Sequence, residues 1–539
     1  MLSRIFRQRA PIGPFVGLCG LLLSGGVQGE ESKPASGTAG LAERIQEIIS
    51  RPEFRHASFG IEFYSLDTGK PVYTLNEEKL FTPASTTKLL TEGTALELLG
   101  TDYRFHTRIY RAGPLEPDGT LKGDLILVAS GDPNLSGRLR PGGTLAFENV
   151  DHTYAGSPDT RAVPGDPLLV VRELAQQVAA HGVKRVDGHF LVDAGLFPEG
   201  DADRGTGIII SPIAVNDNVI DVTAGPGAAV GEPVKLEVSP ATAYARFINQ
   251  ARTGPVDSKP EIKWEHDVTN ADGSHTATVT GNMPLGRPPI LFAYPVPQPT
   301  RFAELVFAQA LRDQGVVVVK AAPRPPDFKF PIGFYTPENL VAEHVSPPLS
   351  EEVKVTLKVS QNLHAGMMPY ILGAILAHKS NDAAQAGFDL EREFLQKAGL
   401  DLNGASQGDG EGGAPSAFFT PDFMAHYLAY MSKQKDFATF LNALPILGRD
   451  GTLWNIQPTS PAAGQVHAKT GTFAAYDALN RKLMLTGKGL AGYMTTPGGR
   501  HLAFALYVNR VSLPADDDAS TRVVGQALGE MAAAGFLSQ

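Results

Sequence analysis

The feature that most limits how this chain can fold is its pair of ends, which carry strand-turn-strand patterns that the long middle does not share. Phe59 to Leu66 and Pro71 to Leu75 read as strands joined by a turn at Asp67-Thr68-Gly69. Near the other terminus, Gly489 to Thr496 and His501 to Asn509 flank Pro497-Gly498-Gly499, and a further strand, Gly464 to Gly471, precedes them. A lone hairpin is marginal in water, so two such ends predict one sheet built from two N-terminal and three C-terminal strands. Helices belong beside it. Leu89, Leu90, Leu96, Leu98 and Leu99 recur at helical spacing between Ala84 and a stop at Gly100, and Asp516 to Asp518 cap a last helix to about Ala534.

Between Gly100 and about Thr336 the texture changes to short strands, Gly/Pro loops and two helix-Gly-strand units. One runs from Asp166 and Pro167 through Ala180 and Gly182 to Val186–Val192, the other from Thr300 to Gly315 and on to Val316–Val319. This region reads as an insertion. The expected organisation is a signal peptide over 1–29, the first part of a main domain over 30–100, an inserted region over 101–335, and the second part over 336–539. At 539 residues the chain has room for two to four cores, and 42% apolar with 19% charged residues is an ordinary globular composition. A net charge of −10 without a dense basic run argues against nucleic acid as partner.

The first 29 residues read as an export signal: Arg4, Arg7 and Arg9, then the apolar stretch Phe15 to Leu23, then Val27-Gln28-Gly29 as cleavage site. The mature chain would start near Glu30 at net charge −13, the three arginines having left. No later run is long enough for a transmembrane helix, although loose membrane association stays open. The lone cysteine, Cys19, falls inside the signal, so disulfides, thiolate metal sites and cysteine nucleophiles are excluded from the mature protein. No metal spacing occurs among the 13 histidines, and no cofactor is expected. Gly408 to Gly413 reads as a loop, Asp201 to Gly205 fails the calcium-loop spacing, Trp454 reads as core, and His467 as a solvent-facing strand residue.

Chemistry concentrates in three short segments. Ser85 and Lys88 stand three apart at the start of the buried helix, on one face, so that an amine with a lowered pKa can deprotonate the hydroxyl. Ser360-Gln361-Asn362 lies between two helical stretches, and Lys469-Thr470-Gly471, followed by Thr472, lies on the strand that precedes the C-terminal hairpin. The order Ser-x-x-Lys, Ser-x-Asn, Lys-Thr-Gly is shared by penicillin-binding proteins and class A β-lactamases. Asn216-Asp217-Asn218 and Arg252-Thr253-Gly254 mimic the last two but lack the helix or terminal strand they need.

Here the chain resembles the serine-type D-Ala-D-Ala carboxypeptidases/endopeptidases, the class C low-molecular-mass penicillin-binding proteins. The likeness extends from about residue 42 to the C-terminus, through TPASTTKLLT, LGTDYRF, SGDPNL, HVSPPLSE, LPILGRDGTL and AKTGT, and 275 positions separate Ser85 from Ser360, as a large insertion after the nucleophile helix demands. The resemblance implies an α+β fold: a β-lactamase/transpeptidase-like domain, with a five-stranded antiparallel sheet and helices, interrupted by a large inserted α/β region. It implies Ser85 as nucleophile, Lys88 as base, Ser360 as proton relay and Asn362 as a partner of Lys88 and the substrate amide. Lys469 would keep Lys88 neutral and, with Thr470 and Thr472, attract a terminal carboxylate. Gly471 would let the substrate backbone approach the strand, and the N–H groups of Ser85 and Thr472 would form the oxyanion hole.

The implied function is exported D,D-peptidase activity on peptidoglycan stem peptides or cross-links in the periplasm, with β-lactams as inhibitors. Two other readings stay open: β-lactam or ester hydrolysis on the same fold, and a non-catalytic cell-wall-binding scaffold. Sequence leaves the oligomer unknown. Two departures from the family pattern bear on the choice. Its Ser-Asp-Asn-Leu-x-Ala-Glu has become Ser-Gln-Asn-Leu-His-Ala-Gly, which removes a carboxylate at Gly366, and about a dozen extra residues, Tyr476 to Lys488, follow Phe473.

Overall fold

A computed structural model describes residues 36–320, 323, 328–516 and 518–538, so the proposed export segment lies outside the described residues. Two strands from the N-terminal end, β1 (Ser58–Ser65) and β2 (Lys70–Leu75), join three from the C-terminal end, β3 (Val466–Asp477), β4 (Lys482–Thr495) and β5 (His501–Asn509). The order is β2-β1-β5-β4-β3, antiparallel throughout. The fold is α+β. A sixth short strand, Val511–Leu513, pairs with β4 and was not expected.

Both faces of this sheet are covered, which is why β5 reads as an almost unbroken apolar run. Phe504, Leu506 and Val508 point into a core with Leu41, Ile45 and Met531 from the terminal helices. Ala503, Ala505 and Tyr507 alternate onto the opposite core, with Leu89 and Leu96. The helix that carries those leucines, α1 (Lys88–Leu99), is preceded by one 3-10 turn, Ala84–Thr87. Each such side chain contributes about 1.5–3 kcal/mol on burial, enough to hold the turn ahead of it in register with the sheet. The N-terminal helix Ser36–Ile49, for which the sequence raised no expectation, packs against the last helix, Gln526–Leu537, which begins after a π-helical stretch, Ser520–Gly525.

The expected extra stretch after Phe473 is no separate insertion. Residues 476–488 lengthen β3 and β4 into one long hairpin, in register from Val466↔Met494 to Asp477↔Lys482 with one bulge at Phe473/Ala474.

The inserted region has its own core. Helices Leu169–Ala180 and Pro299–Asp313 pack on a mixed sheet in the order Val317–Lys320, Arg185–Asp193, Asp124–Val128, His106–Ala112, Leu340–Val345. The strands that follow the two helices are parallel neighbours, so the two helix-Gly-strand units are joined edge to edge. Leu340–Val345, beyond residue 335, pairs with His106–Ala112. Smaller antiparallel sheets around Val219–Gly225 and His275–Pro284 complete the insertion. Among the described residues no helix is long and apolar enough to cross a membrane.

Candidate active site

The three sequence segments meet at one cavity of about 520 Å³ between the edge strand β3, the turn before α1, and the junction of helices α2 (Leu349–Val359) and α3 (Asn362–Ile375). Two strained residues hold that geometry. Ala84 has φ 46 directly before Ser85, and Ser360 has φ 63 between the two helices. Left-handed conformations of this kind cost about 1–3 kcal/mol each and persist only where the surroundings enforce them.

Lys88 is fully buried, and its Nζ reaches three oxygens: Ser85 Oγ at 2.9 Å, Asn362 Oδ1 at 2.7 Å and the Glu411 carbonyl at 3.0 Å. A neutral amine has two N–H donors and one lone pair. With the donors spent on Asn362 and Glu411, the lone pair is left facing the Ser85 hydroxyl. Burial lowers the amine to about 8, against the opposing pull of Glu411, Asp203, Asp409 and Glu92. At pH 7 roughly a tenth of the molecules therefore carry a ready base.

Lys469, also buried, donates to Ser360 Oγ at 2.8 Å and to its neighbour's carbonyl, Thr470 O, at 2.8 Å. Burial first, and the nearby Lys88 second, push its amine well below the usual lysine range. At Lys88 the first cause is removal from water. The Thr470 hydroxyl is bonded to Thr452 Oγ1 at 2.7 Å, and Thr472 accepts from Lys488 Nζ at 2.9 Å.

Gly471 has a packing reason beside the approach of substrate that the resemblance implies. A Cβ at this position would stand 2.3 Å from Pro83 O and 3.1 Å from the backbone nitrogens of Ser85 and Thr86. The glycine lets β3 lie directly against the turn that carries Ser85, so it packs on the protein's own backbone. Gly471→Ala is expected to displace that turn and lower acylation of Ser85 about 100-fold, as a misplacement near 1 Å does. Stopped-flow measurement with a chromogenic β-lactam checks this. An unchanged rate would mean that the turn tolerates the shift.

The space beside Gly366 is taken by another carboxylate. A Cβ on Gly366 would lie 3.3 Å from Glu411 Oε2, so the Glu411 side chain fills the space that a residue there would enter. Its other oxygen accepts from Arg204 N at 2.9 Å, while its backbone carbonyl holds Lys88. Burial and the neighbouring Asp409 push the Glu411 carboxyl up to about 7. The loop Gly408 to Gly413 thus takes part in the site, which no sequence motif announced.

The insertion reaches the site as well. Tyr154 OH donates to Ser360 O at 2.5 Å, and a Cβ on Gly205 would stand 1.9 Å from Asn362 Nδ2. Behind the second segment lies a buried ion cluster. Arg138 Nη2 donates to Asp151 at 2.5 Å and to Asp217 at 2.6 Å; His152 and His364 also contact Asp217, at 2.7 and 2.8 Å. Gln361, the middle residue of the triplet, is buried on this side, with Nε2 3.5 Å from Asp151 Oδ1. Asn216, Asp217 and Asn218 all adopt left-handed backbone, which these residue types tolerate best. The triplet that mimics the second motif is therefore the anchor of its support. Trp454 corrects another expectation: it lines the cavity and is 36% exposed. His467 is half-buried with Nδ1 3.3 Å from Leu441 O, and so turns from solvent.

Two groups among the described residues bring possible metal ligands within 4.8 Å of one another: buried Glu62 with half-buried Asp422 and His426, and Asp151, His152 and Asp217 in the cluster. In the second, Arg138 already supplies the positive charge to both carboxylates.

The model of the D-Ala-D-Ala carboxypeptidase 3 (S13) family matches residues 41–528. A D-alanyl-D-alanine carboxypeptidase of Actinomadura sp. is 29% identical over 500 residues, 88% of this chain and 82% of that protein. The D-alanyl-D-alanine carboxypeptidase DacB of Haemophilus influenzae is 26% identical over 453 residues, 80% of each. The crystal structure of penicillin binding protein 4 (dacB) from Haemophilus influenzae superposes with a TM-score of 0.69 at 20% identity, covering 91% of this chain and 99% of that one. With a family match over residues 41–528, a range that contains the three segments the cavity brings together, this chain belongs to the D-Ala-D-Ala carboxypeptidase 3 (S13) family of serine peptidases.

Proposed function

We propose that this protein is an exported D,D-carboxypeptidase, with endopeptidase activity on cross-links, that acts on peptidoglycan stem peptides through an acyl-enzyme on Ser85. The observation that carries the reading is the pair of linked contacts around one cavity, Ser85–Lys88–Asn362 and Ser360–Lys469.

Ser85 Oγ attacks the carbonyl of the penultimate D-Ala as its proton passes to neutral Lys88. The resulting oxyanion is held by the N–H groups of Ser85 and Thr472. Collapse breaks the C–N bond, and Ser360, bonded to Lys469, passes its proton to the departing amine and is reprotonated from the Lys88 ammonium, which leaves Lys88 neutral. Water then cleaves the Ser85 ester as Lys88 takes its proton and returns it to Ser85 Oγ. Penicillin would follow the first half of this path, and its acyl-enzyme would persist. Glu411 standing in for residue 366 favours catalysis over the scaffold reading, because the site retains its carboxylate.

Intact-mass measurement after benzylpenicillin, with peptide mapping, is expected to place one adduct on Ser85. Ser85→Ala should abolish both the adduct and release of D-alanine from a pentapeptide. A folded protein that forms no adduct and consumes no drug would sink the proposal in favour of a scaffold. Fast drug consumption without an adduct would favour the β-lactamase reading.

A further inference from the structure

The cavity is lined by a lysine, Lys488, to which the family resemblance gives no role, while Lys88 and Lys469 are buried behind its wall. Lys488 stands opposite Thr472 in the β3–β4 register, at the end of the stretch that lengthens the hairpin. Its stem runs past the π-helical stretch Ser520–Gly525, where a Cβ on Gly525 would come within 3.3 Å of Lys488 Cε. Its Nζ donates to Thr472 Oγ1, and the residue lines the same cavity as Ser85 while only 6% of it is exposed.

What distinguishes this amine is that it has a single hydrogen-bond partner and, like Lys469, no counter-charge among the described residues. Lys88 is engaged by Ser85, Asn362 and Glu411, and Lys469 by Ser360 and a backbone carbonyl. Lys488 has a neutral hydroxyl and, among the described residues, no carboxylate within ion-pair distance. Burial is the one cause acting on its amine, which it lowers to about 8, so at pH 7 the group is still mostly protonated. Asp518, on the same cavity wall, is paired with Arg522 at 3.3 Å. A buried ammonium without an anion is costly to maintain, and the cost is recovered when an anion arrives. Thr472, by accepting from Lys488, keeps its own O–H free to donate. Ammonium and hydroxyl together offer two donors to one carboxylate, on the strand edge beside Gly471 and Ser85.

We propose that Lys488, acting with the Thr472 hydroxyl, binds the free carboxylate of the amino acid that leaves when Ser85 is acylated. The role that the resemblance gives to Lys469 is thereby divided: Lys469 orients Ser360, and Lys488 selects substrates whose scissile bond is followed by a carboxylate-bearing residue. This inference rests on the acyl-enzyme reading of Ser85.

The test compares kcat/KM for an N-acylated peptide ending in D-Ala-D-Ala with that for the same peptide ending in a carboxamide. The parent protein should prefer the carboxylate about 100-fold, in line with the loss that follows when a buried charged donor is left unpaired. Lys488→Met, which keeps the stem's volume, should lose about 30-fold or more on the carboxylate peptide and less than about threefold on the amide. Lys488→Arg should restore most of the preference. Equal losses on both peptides, or none, overturn the proposal. A parent that cleaves both peptides equally overturns it without any variant, which covers the case of a variant that does not fold. A parent that forms no acyl-enzyme on Ser85 with benzylpenicillin brings down the underlying reading, and this inference with it.

Discussion

Replacing Lys88 with Met is expected to slow acylation of Ser85 by about a thousandfold or more, since a positioned base and the nucleophile it serves act as a unit. The three partners of Lys88 Nζ explain why no other group can substitute. Asn362 and Glu411 occupy its donors, and Lys469, the next amine, is turned to Ser360. In the parent, acylation at saturating β-lactam should rise about tenfold per pH unit below about 8 and level off above it, because burial sets the amine there and the neutral form is the base. Quenched-flow mass spectrometry from pH 6 to 9 would read both effects. A rate independent of pH across that window, or a Met variant within tenfold of the parent, would show that another group takes the proton.

The second large effect concerns stability. Arg138→Met should destabilise the protein by about 3–5 kcal/mol, the usual result of leaving buried carboxylates without their cation. Desolvation alone would raise the Asp217 carboxyl, but Arg138 and His364 hold it well below the ordinary range. Desolvation would likewise lower His364, and Glu352 and Asp217 instead raise it to about 10. A histidine raised in the folded state stabilises fully below about pH 6.5 and loses that contribution as pH rises through about 10. Differential scanning calorimetry of parent and variant at pH 6.5 and 9.5 should show the larger difference at the higher pH, where the histidines, present in both proteins, supply less of the missing positive charge. A melting temperature unchanged by the substitution would mean that His152 and His364 neutralise the cluster unaided.

The cluster also shows why part of the site escaped a reading of the sequence. Arg138, Asp151, His152, Asp217 and His364 are spread over 227 positions, and none of them repeats at a spacing that chemistry would recognise. Lys88 and Ser85, by contrast, are one helical turn apart, where geometry follows from sequence alone. Lys469 to Thr472 fall on one strand, where alternation sets their faces. Glu411 sits in a glycine-rich loop that carries no period, and it became legible only when the space above Gly366 was seen to be filled by its carboxylate. Lys488 lies in a stretch that read as an insertion because the family pattern has no counterpart for it, whereas strand pairing carries it to the hydroxyl of Thr472.

By itself, then, the sequence determined the two-ended sheet, the buried helix after Ser85, the inserted region and the three segments that meet at the cavity. These are features of local period and chain order, which backbone geometry converts directly into structure. Tertiary structure alone decided that Lys88 is buried, that Gly471 packs on the turn that carries Ser85, that the Glu411 carboxylate stands over Gly366, and that Lys488 lines the cavity beside Thr472. Each of these depends on atoms brought together across tens to hundreds of residues, and on the exclusion of water from the space between them, which no single segment of the chain encodes.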